Sequence, residues 1–191
     1  MISIRGTTIV ACRRNGKTVI GADSQATLDT MVFKDGVKKL HKIYNDKVVV
    51  GMAGTVSHNL AVLRLLEENL NKYSGNLQRA LVEISNNWQN ANAMHPNLEV
   101  MMVIADKDDI FIFMGDGMVA RPSDDFTSVG SGSHYALGAL RALYDNTKLP
   151  ARDIVEKALT VASDYCIYTN IWKKQNISFQ RYYKDRNGYF I

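Results

Sequence analysis

The chain has 191 residues with 46% hydrophobic and 22% charged positions, ordinary values for one folded domain able to bury a core. No apolar run reaches 18 residues, which argues against a membrane-spanning helix, and Met1 to Gly6 lacks the apolar centre of a signal peptide, so the expected compartment is the cytoplasm. The net charge of +4 belongs to the C-terminal stretch: residues 171–191 carry Lys173, Lys174, Arg181, Lys184 and Arg186 against Asp185 alone, and the remainder is neutral.

In chain order, Arg5-Gly6-Thr7-Thr8-Ile9-Val10-Ala11 comes first. Cleavage between Gly6 and Thr7 would place a hydroxyl and a free α-amine on one residue. An α-amine titrates at roughly 7.7–8.0, so it can take the hydroxyl proton at neutral pH and turn a poor nucleophile into a usable one. Gly6 suits a tight junction because it has no Cβ. The plain alternative is that paired β-branched threonines open a strand.

The runs from Thr7 to Cys12 and from Thr18 to Ala22 flank Arg13-Arg14-Asn15-Gly16-Lys17, a hairpin signal. Asp23-Ser24-Gln25-Ala26-Thr27 marks a strand end and turn. A short strand is predicted over 37–43, in which Lys39 falls among inward-facing positions. A buried lysine is costly without a partner, and Asp23 would supply one; the plain alternative is that Lys38, Lys39 and Lys42 are all solvated. The nearly continuous apolar run from Lys47 to Ala53 predicts a strand covered on both faces.

Leucines 60, 63, 66 and 70 predict one amphipathic helix, and Leu77, Leu81, Ile84 and Trp88 a second. A loop is expected over 90–97. Strands are predicted over 100–105 and 110–114. The acidic pairs Asp108-Asp109 and Asp124-Asp125 read as turn formers rather than catalytic carboxylates. Gly130-Ser131-Gly132-Ser133 leads into a further helix. It is either an anion-binding turn or a flexible turn with Ser133 as N-cap. Pro150 opens the last helix, which runs to about Tyr165. Cys12 and Cys166 read as reduced, buried, small hydrophobes. The alternation of strands with helix pairs predicts an α+β fold, a four-layer αββα sandwich.

Several of these segments together resemble one family. Thr7-Thr8-Ile9-Val10-Ala11, Gly21-Ala22-Asp23-Ser24-Gln25-Ala26-Thr27, Tyr44-Asn45-Asp46-Lys47-Val48, Gly51-Met52-Ala53-Gly54, Gly130-Ser131-Gly132 and Cys166-Ile167-Tyr168-Thr169-Asn170 are similar to segments of HslV peptidase subunits, bacterial relatives of proteasome β-subunits. The resemblance spans Thr7 to Asn170. It implies an N-terminal-nucleophile hydrolase of threonine type, with residues 1–6 as a propeptide, 7–170 as the peptidase domain and 171–191 as a basic aromatic tail. It further implies catalytic roles for Thr7, Lys39, Asp23, Ser131 and Asp164, and substrate binding as an added strand near Thr27 and Gly51. Backbone carbonyls of Ser163, Cys166 and Thr169 would hold a monovalent cation such as Na+, with no cofactor for the chemistry itself. The implied partners are copies of the chain in stacked hexameric rings, an AAA+ ATPase of the HslU type that consumes ATP, and unfolded protein substrates. Ser24 and Ser163 stand where the family usually has glycine. Two other readings are a ring subunit without catalysis, and nucleic-acid binding through the tail. The tail's mixture of charge and aromatics favours protein contact over nucleic acid.

Overall fold

The computed structural model describes residues 4–28, 31–34, 36–92, 99–170 and 182–183. In chain order the elements are β1 (Ile4–Arg5), β2 (Thr8–Arg14), β3 (Lys17–Ala22), β4 (Ala26–Leu28), β5 (Met31–Lys34), β6 (Leu40–Ile43) and β7 (Val48–Gly54). They continue with α1 (Val56–Lys72), α2 (Leu77–Asn92), β8 (Val100–Ala105), β9 (Ile110–Met114), β10 (Val119–Ala120), β11 (Phe126–Gly130), α3 (Ser133–Asn146), α4 (Ala151–Tyr165) and β12 (Tyr182–Tyr183).

Among the described residues, one sheet has the order β11-β2-β3-β12, a second β10-β9-β8-β7-β6, and a small third β1-β4-β5. Three apolar clusters account for the layering. Ile9, Ala11, Ile20 and Ala22 of the first sheet face Leu40, Val49, Ala53 and Val103 of the second. The outer face of the first sheet, through Val10, Cys12 and Val19, packs on Leu140 of α3 and Ile154, Val155 and Leu159 of α4. The outer face of the second, through Val48, Val50, Met52 and Met102, packs on Leu66 and Leu70 of α1 and Leu81, Ile84 and Trp88 of α2. The result is the αββα sandwich. Strand β7 lies between a sheet and a helix layer, so both its faces are covered, and this is why its sequence is a run of apolar residues rather than an alternation. Each fully buried Leu or Ile in these layers contributes roughly 1.5–3 kcal/mol.

Some local expectations shift. In α1 the buried stripe is Asn59, Val62, Leu66 and Leu70, while Leu60 is 40% exposed. An i, i+3 row drifts around a helix of 3.6 residues per turn, so a stripe read from leucines alone starts one residue off the core face. The predicted strand over 37–43 is regular only at Leu40–Ile43, with Lys39 entering it from a segment held by the site described below. Helix α2 extends to Asn92 into the predicted loop, of which residues 93–97 lie outside the described set. The N-cap of α3 is Gly132 rather than Ser133, and Pro150 is the N-cap of α4. The turn aspartates are ion-paired at the surface: Asp109 with Arg121, Asp124 with Arg141 and Asp125 with Arg13. Of the basic tail, only Tyr182 and Tyr183 are described, and they pair with Ile20 and Val19 at the edge of β3. The remaining tail expectations fall outside the described residues.

Candidate active site

Four chain segments meet at the start of β2. Thr7 immediately precedes that strand, Asp23 follows the end of β3, Lys39 immediately precedes β6, and Ser131 follows β11. The sheet register brings them together: β11 pairs with β2 so that Gly130 lies opposite Thr8, and Val10 of β2 lies opposite Gly21 of β3.

Asp23 and Lys39 are each 5% exposed. Lys39 Nζ lies 2.9 Å from both carboxylate oxygens of Asp23, 2.6 Å from the carbonyl oxygen of Gly6 and 2.5 Å from that of Gln25. Asp23 also accepts the backbone N–H of Thr8 at 2.7 Å and of Gln25 at 3.0 Å. Burial pushes the Asp23 carboxyl up and the Lys39 ammonium down, and each is opposed by its partner. Lys39 Nζ faces four oxygen acceptors, and a neutral amine would turn its lone pair toward one of them. The ionised pair is the form this cage fits.

Beside the pair, Thr7 Oγ1 donates to the Gly6 carbonyl oxygen at 2.7 Å. That carbonyl therefore receives the threonine hydroxyl on one side and the lysine ammonium on another. The Ser131 N–H donates to the Thr7 carbonyl at 2.8 Å. This approach needs a glycine at 130, where φ is +96° and a Cβ would stand 2.0 Å from the Thr7 carbonyl oxygen. Thr8 is fully buried, its hydroxyl accepting from the Gly132 N–H at 2.9 Å and sharing a 2.6 Å bond with the Thr169 hydroxyl. Of the two threonines, only Thr7 faces the cleft.

That cleft has a volume of about 860 Å³ and is bordered by Thr7, Lys39 and Ser131 together with an apolar wall that includes Met52, Met101 and Met114. His41 also borders it, half-buried, its pKa lowered by burial and by the neighbouring Lys38. A roomy apolar cleft with a few convergent polar groups is the expected form of a substrate site.

The other predicted residues fall as follows. Thr27 is 1% exposed and pairs through its backbone with Arg5. Gly51 is committed to the ladder between β6 and β8, and its bare Cα faces Ile9. Met52, Ala53 and Gly54, the next three residues of this strand, border the cleft. Asp164 is exposed on the last turn of α4. Ser163, Cys166 and Thr169 gather where α4 ends, and the Cys166 carbonyl accepts the Thr169 N–H at 3.0 Å. Carbonyl oxygens at the negative end of a helix are the donor type that suits a hard cation such as Na+. The Ser163 hydroxyl bonds back to the Thr160 carbonyl, leaving its own carbonyl chemistry unaltered. Ser24 is buried and its N–H donates to the Asn170 side chain at 3.2 Å.

Sequence reasoning missed Gln25 as a site residue. Its backbone carbonyl accepts from Lys39, and its buried amide donates to Thr27 Oγ1 at 2.7 Å and to the Ile167 carbonyl at 3.0 Å. The available signal was a polar stretch, 23–27, placed directly after an apolar strand, but a polar stretch reads as a surface turn until its burial is known.

The proteasome-subunit family profile matches residues 4–175. A curated relative described as "ATP-dependent protease subunit HslV" from Sulfurihydrogenibium sp. is 45% identical over 170 residues, covering 89% of this chain and 95% of that protein. The crystal structure of eukaryotic HslV from Trypanosoma brucei is similar with a TM-score of 0.79 and 31% identity, over 85% of this chain and 94% of the other. Thiobacillus denitrificans BPH, solved in complex with epoxomicin, shares the fold at a TM-score of 0.64 and 20% identity, over 92% and 97% of the two chains.

Proposed function

We propose that this chain, which belongs to the proteasome subunit family, is the proteolytic core subunit of an ATP-dependent protease of the HslV type. It hydrolyses peptide bonds of unfolded proteins with Thr7 as N-terminal nucleophile after removal of Met1–Gly6. The observation that carries this reading is the placement of Thr7 Oγ1 and Lys39 Nζ on the same carbonyl, that of Gly6, with Lys39 locked to buried Asp23.

In the cut chain the Thr7 amine accepts the Thr7 hydroxyl proton, directly or through a water, and Oγ1 attacks the substrate carbonyl. The protonated Thr7 amine gives that proton to the leaving amine as the adduct collapses to an ester between Thr7 and the substrate's acyl half, and a water, deprotonated by the same amine, then hydrolyses the ester and the proton returns to Oγ1. Lys39 is a fixed positive charge beside that amine. It favours the neutral, basic form of the amine and steadies the alkoxide character developing on Oγ1. Asp23 holds Lys39 in place and keeps it ionised. Ser131 contributes through its N–H, which fixes the Thr7 main chain. The Met52 N–H is given to the Lys39 carbonyl, and Gly54, at the cleft-bordering end of the same strand, offers the backbone N–H that would receive an oxyanion.

The same reading includes copies of the chain assembled into stacked hexameric rings, an ATPase of the HslU type that unfolds and delivers substrates, Na+ held by the Ser163, Cys166 and Thr169 carbonyls, and a cytoplasmic setting. The cation would brace the end of α4, whose following loop bonds to Thr8 and Gln25. Enclosing the nucleophiles in a ring keeps a peptidase with an apolar, unselective cleft away from folded proteins.

Intact-mass measurement with N-terminal sequencing, followed by a fluorogenic peptide assay with and without the ATPase, tests the reading. The expected result is a chain beginning at Thr7 with ATPase-stimulated activity that Thr7→Ala abolishes. A chain that keeps Met1 or Ile2 after assembly lacks the catalytic amine, and would establish a non-catalytic ring subunit instead.

A further inference from the structure

Helix α1 carries a polar residue, Asn59, in an otherwise apolar buried stripe. Asn59 is 2% exposed, and Val62, Leu66 and Leu70 continue the same face into the core. Its side-chain amide N–H donates to the Ala53 carbonyl at 3.0 Å, while its Oδ1 is buried with no hydrogen-bond partner among the described residues. An interior amide with one end unsatisfied is costly, so packing does not account for it; an apolar residue would serve that stripe better. The bond that Asn59 does make lands on a particular peptide, the one joining Ala53 to Gly54 at the end of β7.

Met52 gives its N–H to the Lys39 carbonyl at 2.9 Å, and N–H directions alternate along a strand. The Gly54 N–H, two residues on, is therefore turned to the same side, toward the cleft that Thr7 and Lys39 border. A peptide unit is planar and trans, so holding the Ala53 carbonyl on one side fixes the Gly54 N–H on the other. The ladder with β8 ends here. Gly54 opposite Val100 is its last pair, and the chain leaves the strand with a φ of +98° at Gly54. On the far side the Thr55 N–H is tied to the Glu99 carbonyl at 2.9 Å. Building on the N-terminal-nucleophile reading, we propose that Asn59 is a positioning residue for peptide hydrolysis: it anchors and polarises the Ala53–Gly54 peptide, so that the Gly54 N–H is fixed where the substrate carbonyl becomes an oxyanion. A donor at the carbonyl end of an amide strengthens the bond its N–H end makes. That gain grows with the charge developing on the substrate oxygen, so Asn59 acts on the transition state more than on the bound substrate.

The test is steady-state kinetics of Asn59→Leu and Asn59→Ala on a fluorogenic peptide, in the assembled protein with its ATPase, with rates expressed per chain that begins at Thr7 as counted by intact mass. In both variants kcat is expected to fall about ten- to hundred-fold while KM stays within about two-fold of the parent, a smaller loss than the roughly 10²–10³-fold of deleting an oxyanion donor itself. A peptide aldehyde forms a hemiacetal: its carbon receives Thr7 Oγ1 and the hydroxyl proton passes to its oxygen. Its affinity should drop by the same factor as kcat, whereas the peptide alcohol of the same sequence, which forms no adduct, should bind as before. Val62→Ala, on the same stripe, is the control for packing and should lower the urea midpoint with kcat unchanged. Parent-like kcat in both Asn59 variants, a rise in KM alone, or equal weakening of aldehyde and alcohol overturns the proposal. Failure of both variants to fold overturns it too, and assigns Asn59 to the core. The catalytic reading fails in a different place: a parent chain that begins at Thr7 and hydrolyses no peptide overturns that reading and this proposal together.

Discussion

At the scale of single residues, the Asp23–Lys39 pair decides most. Both groups are buried, so deleting one charge strands the other in a poorly solvating interior, at a cost of about 3–5 kcal/mol. Lys39→Met is expected to lose on the order of 10²–10³-fold in peptidase activity, as removal of a fixed electrostatic group does, and to unfold at lower denaturant concentration. Its pH dependence has a definite sign. Without Lys39, desolvation acts on Asp23 without the opposing cation, and the carboxyl rises further above its ordinary value. A carboxyl raised in the folded state binds its proton more tightly there than in the unfolded chain, so stability is greatest at acid pH and falls as pH rises through the folded value. Denaturant midpoints of Lys39→Met between pH 5 and 7.5 should therefore fall more steeply than those of the parent. Removing the stranded charge with Asp23→Leu in the same chain should recover stability and leave activity lost. Recovery of activity in the double variant would contradict the assigned role of the lysine.

At the scale of elements, the glycines separate packing from propensity. Gly51 lies where β7 crosses under β2, and a Cβ there would stand 2.5 Å from Ile9 Cγ2 and 3.1 Å from Leu40 Cδ2. Gly51→Ala overpacks the interface between the two sheets and is expected to cost about 1–3 kcal/mol. Gly138 is exposed in the middle of α3 with open space around its Cα. Gly138→Ala should stabilise by about 0.4–1 kcal/mol, since alanine restricts the unfolded chain and no neighbour objects. Urea midpoints of the two variants should move in opposite directions. The same contrast explains how much of the fold could be read beforehand. Strands 100–105 and 110–114, the stripe Leu77, Leu81, Ile84 and Trp88, and the four-layer order follow from periodicity and turn residues, which are local properties. The likeness of Asp23 and Lys39 to a pair was legible because a lysine in an inward position demands a counter-charge. The place of Met52–Gly54 at the cleft, the buried amide of Gln25 and the pairing of β1 with β4 depend on which segments approach from elsewhere in the chain, and periodicity carries no trace of that.

At the scale of the whole molecule, exposed large apolar side chains of the described residues include two groups on different helix layers. Val56 is 63% and Leu60 40% exposed at the start of α1, beside the cleft. On the other helix layer, Tyr135 stacks on Tyr165 with ring centroids 5.8 Å apart, and Tyr165 and Ile167 are each 70% exposed. Large apolar residues gathered in this way, rather than scattered, are the mark of surfaces that meet another protein. A ring needs two unlike faces that meet head to tail, and stacking of rings needs a third, self-complementary one. Areas on opposite helix layers can serve different contacts of this set. Charge placed in one area should then remove one kind of contact and spare the other. Tyr165→Asp with Ile167→Asp, and separately Val56→Asp with Leu60→Asp, are therefore expected to yield smaller species of two different sizes in sedimentation velocity. The exposed positions contribute little to the subunit's own core, so the thermal midpoint of the isolated subunit should move by only a few degrees. If both pairs of substitutions leave the assembly at full size, these surfaces do not hold the rings together.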